Sequence, residues 1–257
     1  MTPARSSSPS VPPGDARAAF ARPAPLVGFL ALLALLVLSQ FYGALVLGPA
    51  AVAELDGGPG SAGLIQSVFG ISYAAGFLVW GPLVDRFGAT RMLLLGLAVL
   101  AVTTGLVALA PGLPWLIAAR IAQGAAAASF APAAFAHVGA HLPPPARAAA
   151  ITVFTSAFLA AAVLGQVAAQ AVAEALSWRW FFGGSAILLA AALVVAVTRL
   201  RADGPLGPAP ASPLRTLLRL LGSGAIPPLL LATLAILGPF TAVYAALGQA
   251  GPVAGGS

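Results

Sequence analysis

Long apolar runs separated by short polar gaps dominate the chain. A helix needs about 20 apolar residues to cross a hydrocarbon core of about 30 Å. Seven runs reach or approach that length, and each predicts a membrane-spanning helix: Leu26–Leu47, Ala62–Val84, Met92–Ala110, Leu113–Ala136, Ala148–Ala173, Trp180–Val197 and Ala225–Leu247. Arginines precede the first run, as they do in a secretory signal. It is long for a signal and six more runs follow, so we interpret it as a retained helix.

Segments of other composition flank and divide these runs. Residues 1–25 form a tail rich in Ser, Pro and Arg, for which we expect disorder. Residues 26–197 hold the first six runs and predict one all-α, six-helix transmembrane bundle. Residues 198–224 are polar and Pro-rich and predict a linker before the seventh helix at 225–247, with a short tail at 248–257.

Composition excludes an ordinary soluble domain. The chain is 60% hydrophobic and 7% charged, whereas soluble domains are about half apolar and about a quarter charged. The lipid bilayer is therefore its expected surrounding. All twelve basic residues are arginines that lie mostly between the runs, not clustered on one face as in a nucleic-acid binder, so no nucleic-acid partner is expected. Disulfides are excluded because there is no cysteine.

The arginines predict the orientation of the spans. Ten of the twelve lie in the tail or in alternate gaps, while the remaining gaps hold Arg179 beside Glu54, Asp56 and Glu174. Because cytoplasmic loops carry the excess of arginine, the amino terminus and the gap between spans two and three are expected in the cytoplasm. Seven spans would then place the carboxyl terminus outside.

That second gap has an unusual concentration of charge. It reads GPLVDRFGATR and contains Gly81, Asp85, Arg86, Gly88 and Arg91. The glycines permit close approach and unusual backbone angles, and a carboxylate just before span three can cap its free N–H groups. From the residues alone, an ordinary cytoplasmic turn with an acidic cap stays an equal alternative.

Span four contains the one arginine that lies inside an apolar run. Arg120, followed by Gln123 and Gly124, is expected on the order of 10 Å from the outer end of its helix. A charge at the bilayer centre costs about 2.5–3.5 kcal/mol, so the side chain either faces a polar cavity or extends to the interface. We favour the cavity, although no Asp or Glu lies in the middle of any span to pair with it.

Three motifs in this order resemble the major facilitator superfamily, and specifically its bacterial drug- and arabinose-efflux permeases. They are G-x-x-x-D-R-x-G-x-x-R between spans two and three, R-x-x-Q-G in span four and SWRWFF at 177–182. The resemblance implies a secondary transporter of the plasma (inner) membrane with two six-helix bundles around a central cavity. It would export a small organic solute by alternating access, with proton coupling left open.

The resemblance also implies roles for individual residues. Asp85 would contact the other bundle as part of a conformational-switch loop, with Arg91 supporting it, and Arg120 would take part in proton coupling. Spans one, four and seven line the pathway in this family, which favours Gln40, Tyr42 and Tyr244 as cavity residues. Other polar residues within spans are Gln66, Tyr73, Gln166 and Gln170. Hydrogen bonding between helices is an equal alternative for each of them, and close packing is the better interpretation of Gly124.

No enzyme, cofactor or metal is expected. His137 and His141 would share one face of a continued helix, but two ligands without a third make a weak site. We therefore interpret them as interfacial histidines. There is no catalytic constellation or phosphate-binding loop.

Two features depart from the family pattern. LGQVAAQAVAEAL in span five lacks the Pro and paired Gly of the antiporter signature, which weakens proton antiport. Only seven spans are present where the family has about twelve, so we expect a truncated chain, or one whose second bundle comes from another chain. The alternative is a membrane protein that does not transport, either a transporter remnant or a partner subunit.

Overall fold

The computed structural model describes residues 23–203 and the isolated positions 222, 228, 231, 232 and 235. Between residues 23 and 203 every regular element is helical: α1 Pro23–Glu54, α2 Ser61–Phe87, α3 Ala89–Ala108, α4 Leu113–Ala127, α5 Phe130–His141, α6 Pro144–Ala175 and α7 Trp178–Arg199. The predicted tail 1–25, linker 198–224 and seventh span fall largely or wholly outside the described residues. Tyr244 lies outside them.

Five of these helices, α1, α2, α3, α6 and α7, are long and apolar enough to cross a membrane. They coincide with the predicted spans one, two, three, five and six, and most extend a few residues beyond the apolar runs. The backbone hydrogen bonds of a helix do not depend on the polarity of its side chains, so each helix can continue beyond the edge of its apolar run.

The fourth apolar run differs from its prediction as one continuous helix, Leu113–Ala136. It is divided into α4 and α5 and extends to His141. Pro132 has no N–H to continue the helical ladder, and the N–H of Ser129 shifts to the carbonyl of Ala126, at 3.1 Å. The Ala125 carbonyl then accepts a hydrogen bond from the indole Nε1 of Trp80 at 2.7 Å, so the break is held by a neighbouring helix.

The helices pack in pairs, α1 on α6, α2 on α4 and α3 on α7. Two apolar clusters lie between them, one with residues such as Leu30, Leu33, Leu93 and Leu97 and one with residues such as Leu47, Val107 and Phe182. Large apolar side chains also cover the outside of the bundle, among them Ile71, Leu159 and Ile187. An apolar exterior over an apolar core is what a lipid-surrounded bundle requires.

Small residues let these helix pairs approach closely. A Cβ atom added to Gly165 on α6 would lie 3.0 Å from the Cα of Ser39 on α1. One added to Gly76 on α2 would lie 2.6 Å from the Cβ of Ala128. Because lipid tails are as apolar as the helix surfaces, such backbone contacts supply much of the attraction between membrane helices.

A cluster that contains one ion pair joins α1, α3 and α7 at the end of the bundle where α1 ends and α7 begins. The Nε atom of Arg179 lies 2.9 Å from Oε1 of Glu54, and Nε1 of Trp178 donates to Oε2 of the same carboxylate at 2.6 Å. Arg179 Nη1 also donates to the carbonyl of Ala108 at 2.9 Å. The WRW sequence at the start of α7 therefore joins this helix to α1 and α3.

We expect Gly76→Ala to destabilise the bundle, because its new methyl group has no room against Ala128. Overpacking costs about 1–3 kcal/mol, and each kcal/mol lowers Tm by roughly 2–4 °C in a chain of this size. Gly63→Ala, in the same helix, is the matched control since a Cβ there meets no described atom within 4 Å. Tryptophan fluorescence during heating in detergent measures Tm. Equal melting of the two variants would contradict the packing of α2 on α4.

Candidate functional site

Gly88 alone forms the turn between α2 and α3. Its φ of 95° lies in the region that favours glycine, and an added Cβ would collide with the carboxylate of Asp203. The prediction of an unusual backbone angle and close approach is confirmed for Gly88. It is wrong for Gly81, which lies within α2 and where a Cβ would meet no described atom within 4 Å.

The predicted capping role of Asp85 is also wrong. Asp85 lies in the last turn of α2, and its side chain is exposed. The carboxylate that receives a free N–H at the start of α3 belongs to Asp203, whose Oδ2 lies 2.9 Å from the nitrogen of Thr90. Asp203 reaches this point because α7 packs on α3 and the residues that follow α7 lie beside Thr90.

The two arginines that flank this turn, Arg86 in α2 and Arg91 in α3, are exposed. The guanidinium of Arg86 lies 5.2 Å from the ring centroid of Phe87, and Arg91 is on the outer side of α3. With Asp85 they form an open charged surface at the α2–α3 end of the bundle. Within the described part of the chain, no ion pair involves any of the three.

Arg120 is fully buried between helices and does not extend to the interface. Its Nη1 donates to the backbone carbonyl of Gln40 at 3.0 Å and to Oε1 of Gln123 at 2.6 Å. Its Nη2 lies 3.5 Å from Oε1 of Gln66. α1, α2 and α4 therefore each supply an oxygen to one guanidinium.

Aromatic rings cover the same guanidinium. Its central carbon lies 4.2 Å from the centroid of the Phe69 ring and 5.8 Å from that of Phe182. A cation over a ring face gains about 2 kcal/mol or more when it is desolvated. Neutral oxygens and ring faces thus take the place of a carboxylate, since no ion pair to Arg120 occurs among the described residues.

The other two residues of the R-x-x-Q-G motif, Gln123 and Gly124, also lie at this site. Gln123 is fully buried, and its Nε2 donates to Oγ1 of Thr104 on α3 at 2.9 Å. Gly124 lies where a side chain would strike the Phe69 carbonyl and the Ser72 hydroxyl, which agrees with its predicted role in close packing. We call Arg120, Gln123, Gln40, Gln66 and Thr104 the buried polar network.

One donor of the network remains available. The Nε atom of Arg120 is buried and has no hydrogen-bond partner among the described residues. A desolvated N–H of a cation is costly to leave unpaired, so the site can accept one more oxygen from a neighbouring group or a solute.

The sequence analysis named only part of the buried polar network. Gln40 belongs to the network, whereas Tyr42 is half-buried with its ring edge-on to Phe41, at 5.2 Å between centroids. Thr104, Phe69 and Phe182 were not predicted. A Thr pair in the apolar third span was the one available signal for Thr104, and phenylalanines in apolar runs carry none.

Comparison with known proteins assigns the family. The family model described as Major Facilitator Superfamily matches residues 29–255. An uncharacterized MFS-type transporter of Mycobacterium tuberculosis is 30% identical over 155 residues, which are 58% of this chain and 27% of that protein. The cephamycin export protein CmcT of Amycolatopsis lactamdurans is 34% identical over 51% of this chain and 27% of its own. The multi-drug resistance efflux pump PmrA of Streptococcus pneumoniae is 31% identical, over 52% of this chain and 34% of its own.

Solved structures share the fold. A mutant of the peptide transporter POT superposes with a TM-score of 0.64 and 21% identity, over 87% of this chain and 48% of that one. A bacterial homolog of the human lysosomal transporter Spinster gives 0.62 and 18%, over 75% and 46%. The chain thus spans about a quarter to a third of these curated relatives and just under half of the solved transporters. By its sequence and its fold, the chain belongs to the Major Facilitator Superfamily.

Proposed function

We propose that this chain supplies one six-helix half of a secondary active transporter that exports a small organic solute by alternating access. Transporters of this superfamily pair two six-helix halves and bind solute between them, near the middle of the bilayer. Two relatives, one named an export protein and one an efflux pump, support efflux as the direction of transport. The second half would come from six further helices of the same or another chain.

The buried polar network is the observation that carries this proposal. A buried arginine in a membrane bundle is expensive, and such residues commonly mark a solute or ion pathway. Here the charge lies within the bundle, and its amide partners come from α1, α2 and α4. A purely structural need for hydrogen bonding between helices would be met by neutral amides at lower cost.

The unpaired Nε–H suggests how the network would act. In one state of the transporter it would donate to an oxygen of the solute or of the second half. In the other state the guanidinium would return to its amide and aromatic partners. If transport is proton-coupled, the carboxylate that carries the proton would come from the second half, because no acid lies in the middle of the predicted spans.

We also propose that the α2–α3 end of the bundle faces the cytoplasm of a bacterial cell whose inner membrane holds the protein. The excess of arginine at this end supports this orientation. The exposed Asp85 would then contact the second half from the cytoplasmic side, and breaking that contact would open the inward-facing state.

Arg120→Lys tests the network. Lysine keeps the charge but cannot supply the planar, forked set of donors that reaches three helices. In inverted membrane vesicles that contain the second half as well, we expect the initial rate of ethidium transport to fall at least about tenfold. Arg147→Lys is the matched control, since Arg147 is exposed and its rate should stay within about twofold of wild type.

Two outcomes would count against the proposal. Equal transport by Arg120→Lys and wild type would remove the network from the pathway. With the second half present, wild-type transport no faster than that of vesicles without the protein, for ethidium and for a wider panel of amphipathic solutes, would favour a membrane protein that does not transport.

Asp85→Asn tests the proposed contact with the second half separately from the stability of the bundle. The Asp85 carboxylate is exposed and makes no hydrogen bond within the described residues. We therefore expect the substitution to change the free energy of unfolding by less than about 0.5 kcal/mol, which is measured through Tm in detergent. The transport rate should nevertheless fall severalfold once the second half is present. Glu174→Gln, an exposed acid at the opposite end, is the control. Full-rate transport by Asp85→Asn would refute the proposed contact.

A further inference from the structure

Three potential metal ligands meet at the α2–α3 end of the bundle. His137 and His141 lie one turn apart near the end of α5, and Asp203 lies on the segment that follows α7. One ligand atom from each lies within 4.8 Å of the other two. Asp203 is the third ligand that the histidine pair lacks in the sequence.

Hydrogen bonds determine which nitrogen of His141 is available. Its Nδ1 lies 3.0 Å from the backbone carbonyl of His137, and a carbonyl can only accept. Nδ1 therefore carries the proton, and Nε2 keeps its lone pair. Metal-binding histidines typically donate their second nitrogen to a carbonyl in this way.

Thr90 orients the other two ligands. Its Oγ1 lies 2.9 Å from Nδ1 of His137, 2.8 Å from Oδ1 of Asp203 and 2.9 Å from the carbonyl of Arg201. A hydroxyl has one proton, and both the carboxylate and the carbonyl can only accept it. His137 then donates its Nδ1–H to Thr90 and also keeps its lone pair on Nε2. The Thr90 backbone N–H holds the second oxygen of Asp203 at 2.9 Å.

The donor set has the chemistry of a cation site. It offers one imidazole nitrogen from each histidine and a carboxylate oxygen, and the two rings stack with their centroids 4.2 Å apart, so His141 would have to turn for both lone pairs to meet one ion. These donors attract a cation even though Arg199 and Arg201 line the adjacent pocket. Zn²⁺ binds such ligands at about 2.0–2.2 Å, so an ion would draw the side chains together by about 1 Å. His141 and Asp203 are only half-buried, which leaves them room to move, and the pocket that both histidines line opens to solvent.

We propose that His137, His141 and Asp203 bind a divalent transition-metal ion such as Zn²⁺, with a fourth position left to water. The ion would join the end of α5 to the segment after α7. Through Thr90 and Gly88 it would also fix that segment against the α2–α3 turn. This site is independent of the buried polar network and of the direction of transport.

The test uses the full chain purified with a tag that contains no histidine, since the chain itself has two histidines and no cysteine. After treatment with a chelator, Co²⁺ is titrated while its visible absorption is recorded, and Zn²⁺ is used to displace it. We expect one ion per chain and a rise in Tm with about 0.1 mM Zn²⁺. His141→Ala and Asp203→Asn should each lose at least about tenfold in affinity, and Glu174→Gln should lose none.

Thr90→Val keeps all three ligands and removes the hydroxyl that orients two of them. An affinity loss of about tenfold in this variant, at unchanged stoichiometry, would support the orienting role. Co²⁺ binding that is absent, or that persists equally in His141→Ala and Asp203→Asn, would overturn the site. A rise in Tm with inorganic phosphate but not with Zn²⁺ would also overturn it, because the pocket would then bind anions through its arginines.

Discussion

A charge placed inside a hydrocarbon-surrounded bundle must find its partners within the protein. The guanidinium of Arg120 meets this requirement with a backbone carbonyl and two side-chain amides on three helices, together with two aromatic faces. Such an arrangement constrains the rotation of each helix about its own axis. It also requires close approach at Gly124, because a side chain there would push α4 away from the Phe69 backbone. The packing of α1, α2 and α4 thus depends on how this one charge is satisfied.

The two ends of the bundle are held by different chemistry. At one end Glu54, Trp178 and Arg179 form an ion-paired cluster between the ends of α1, α3 and α7. At the other, Asp203, Thr90 and His137 form a hydrogen-bonded junction that holds the segment after α7 against the α2–α3 turn. Between them the network lies in an apolar interior. A bundle fixed at both ends is suited to move as a rigid body, which is the motion that the proposed alternating access requires.

Five of the membrane spans could be predicted from the sequence, because a run of about 20 apolar residues satisfies its backbone in lipid only as a helix. Arg120 and Gln123 were predicted as a site because a charge in such a run needs an explanation. The partners were harder to predict. Gln40 is separated from Arg120 by 80 positions, and its contact depends on helix rotation set by every neighbouring side chain.

Asp203 shows the same limit more clearly. In the sequence it is a loop acid, and Asp85 is the acid nearest the start of α3. The structure reverses this assignment, because the short segment after α7 brings the Asp203 carboxylate to Thr90, which is 113 positions away in the sequence. Local sequence signals describe a helix and its ends, but they carry no information on which distant segment crosses over that end.

The most direct measurement is the NMR signal of the Arg120 Nε–H group in protein labelled with ¹⁵N-arginine and reconstituted in lipid nanodiscs. Its assignment follows from comparing wild type with Arg120→Lys, since the chain has twelve arginines. If the guanidinium is buried and held by amides, this signal exchanges with water far more slowly than those of the exposed arginines. The protection of the Arg120 Nε–H from exchange with water should fall when Gln123→Leu removes one amide. An Arg120 signal that exchanges as fast as that of Arg91, which is exposed and makes no hydrogen bond within the described residues, would show that the charge reaches the interface, and the central position of the network would be wrong.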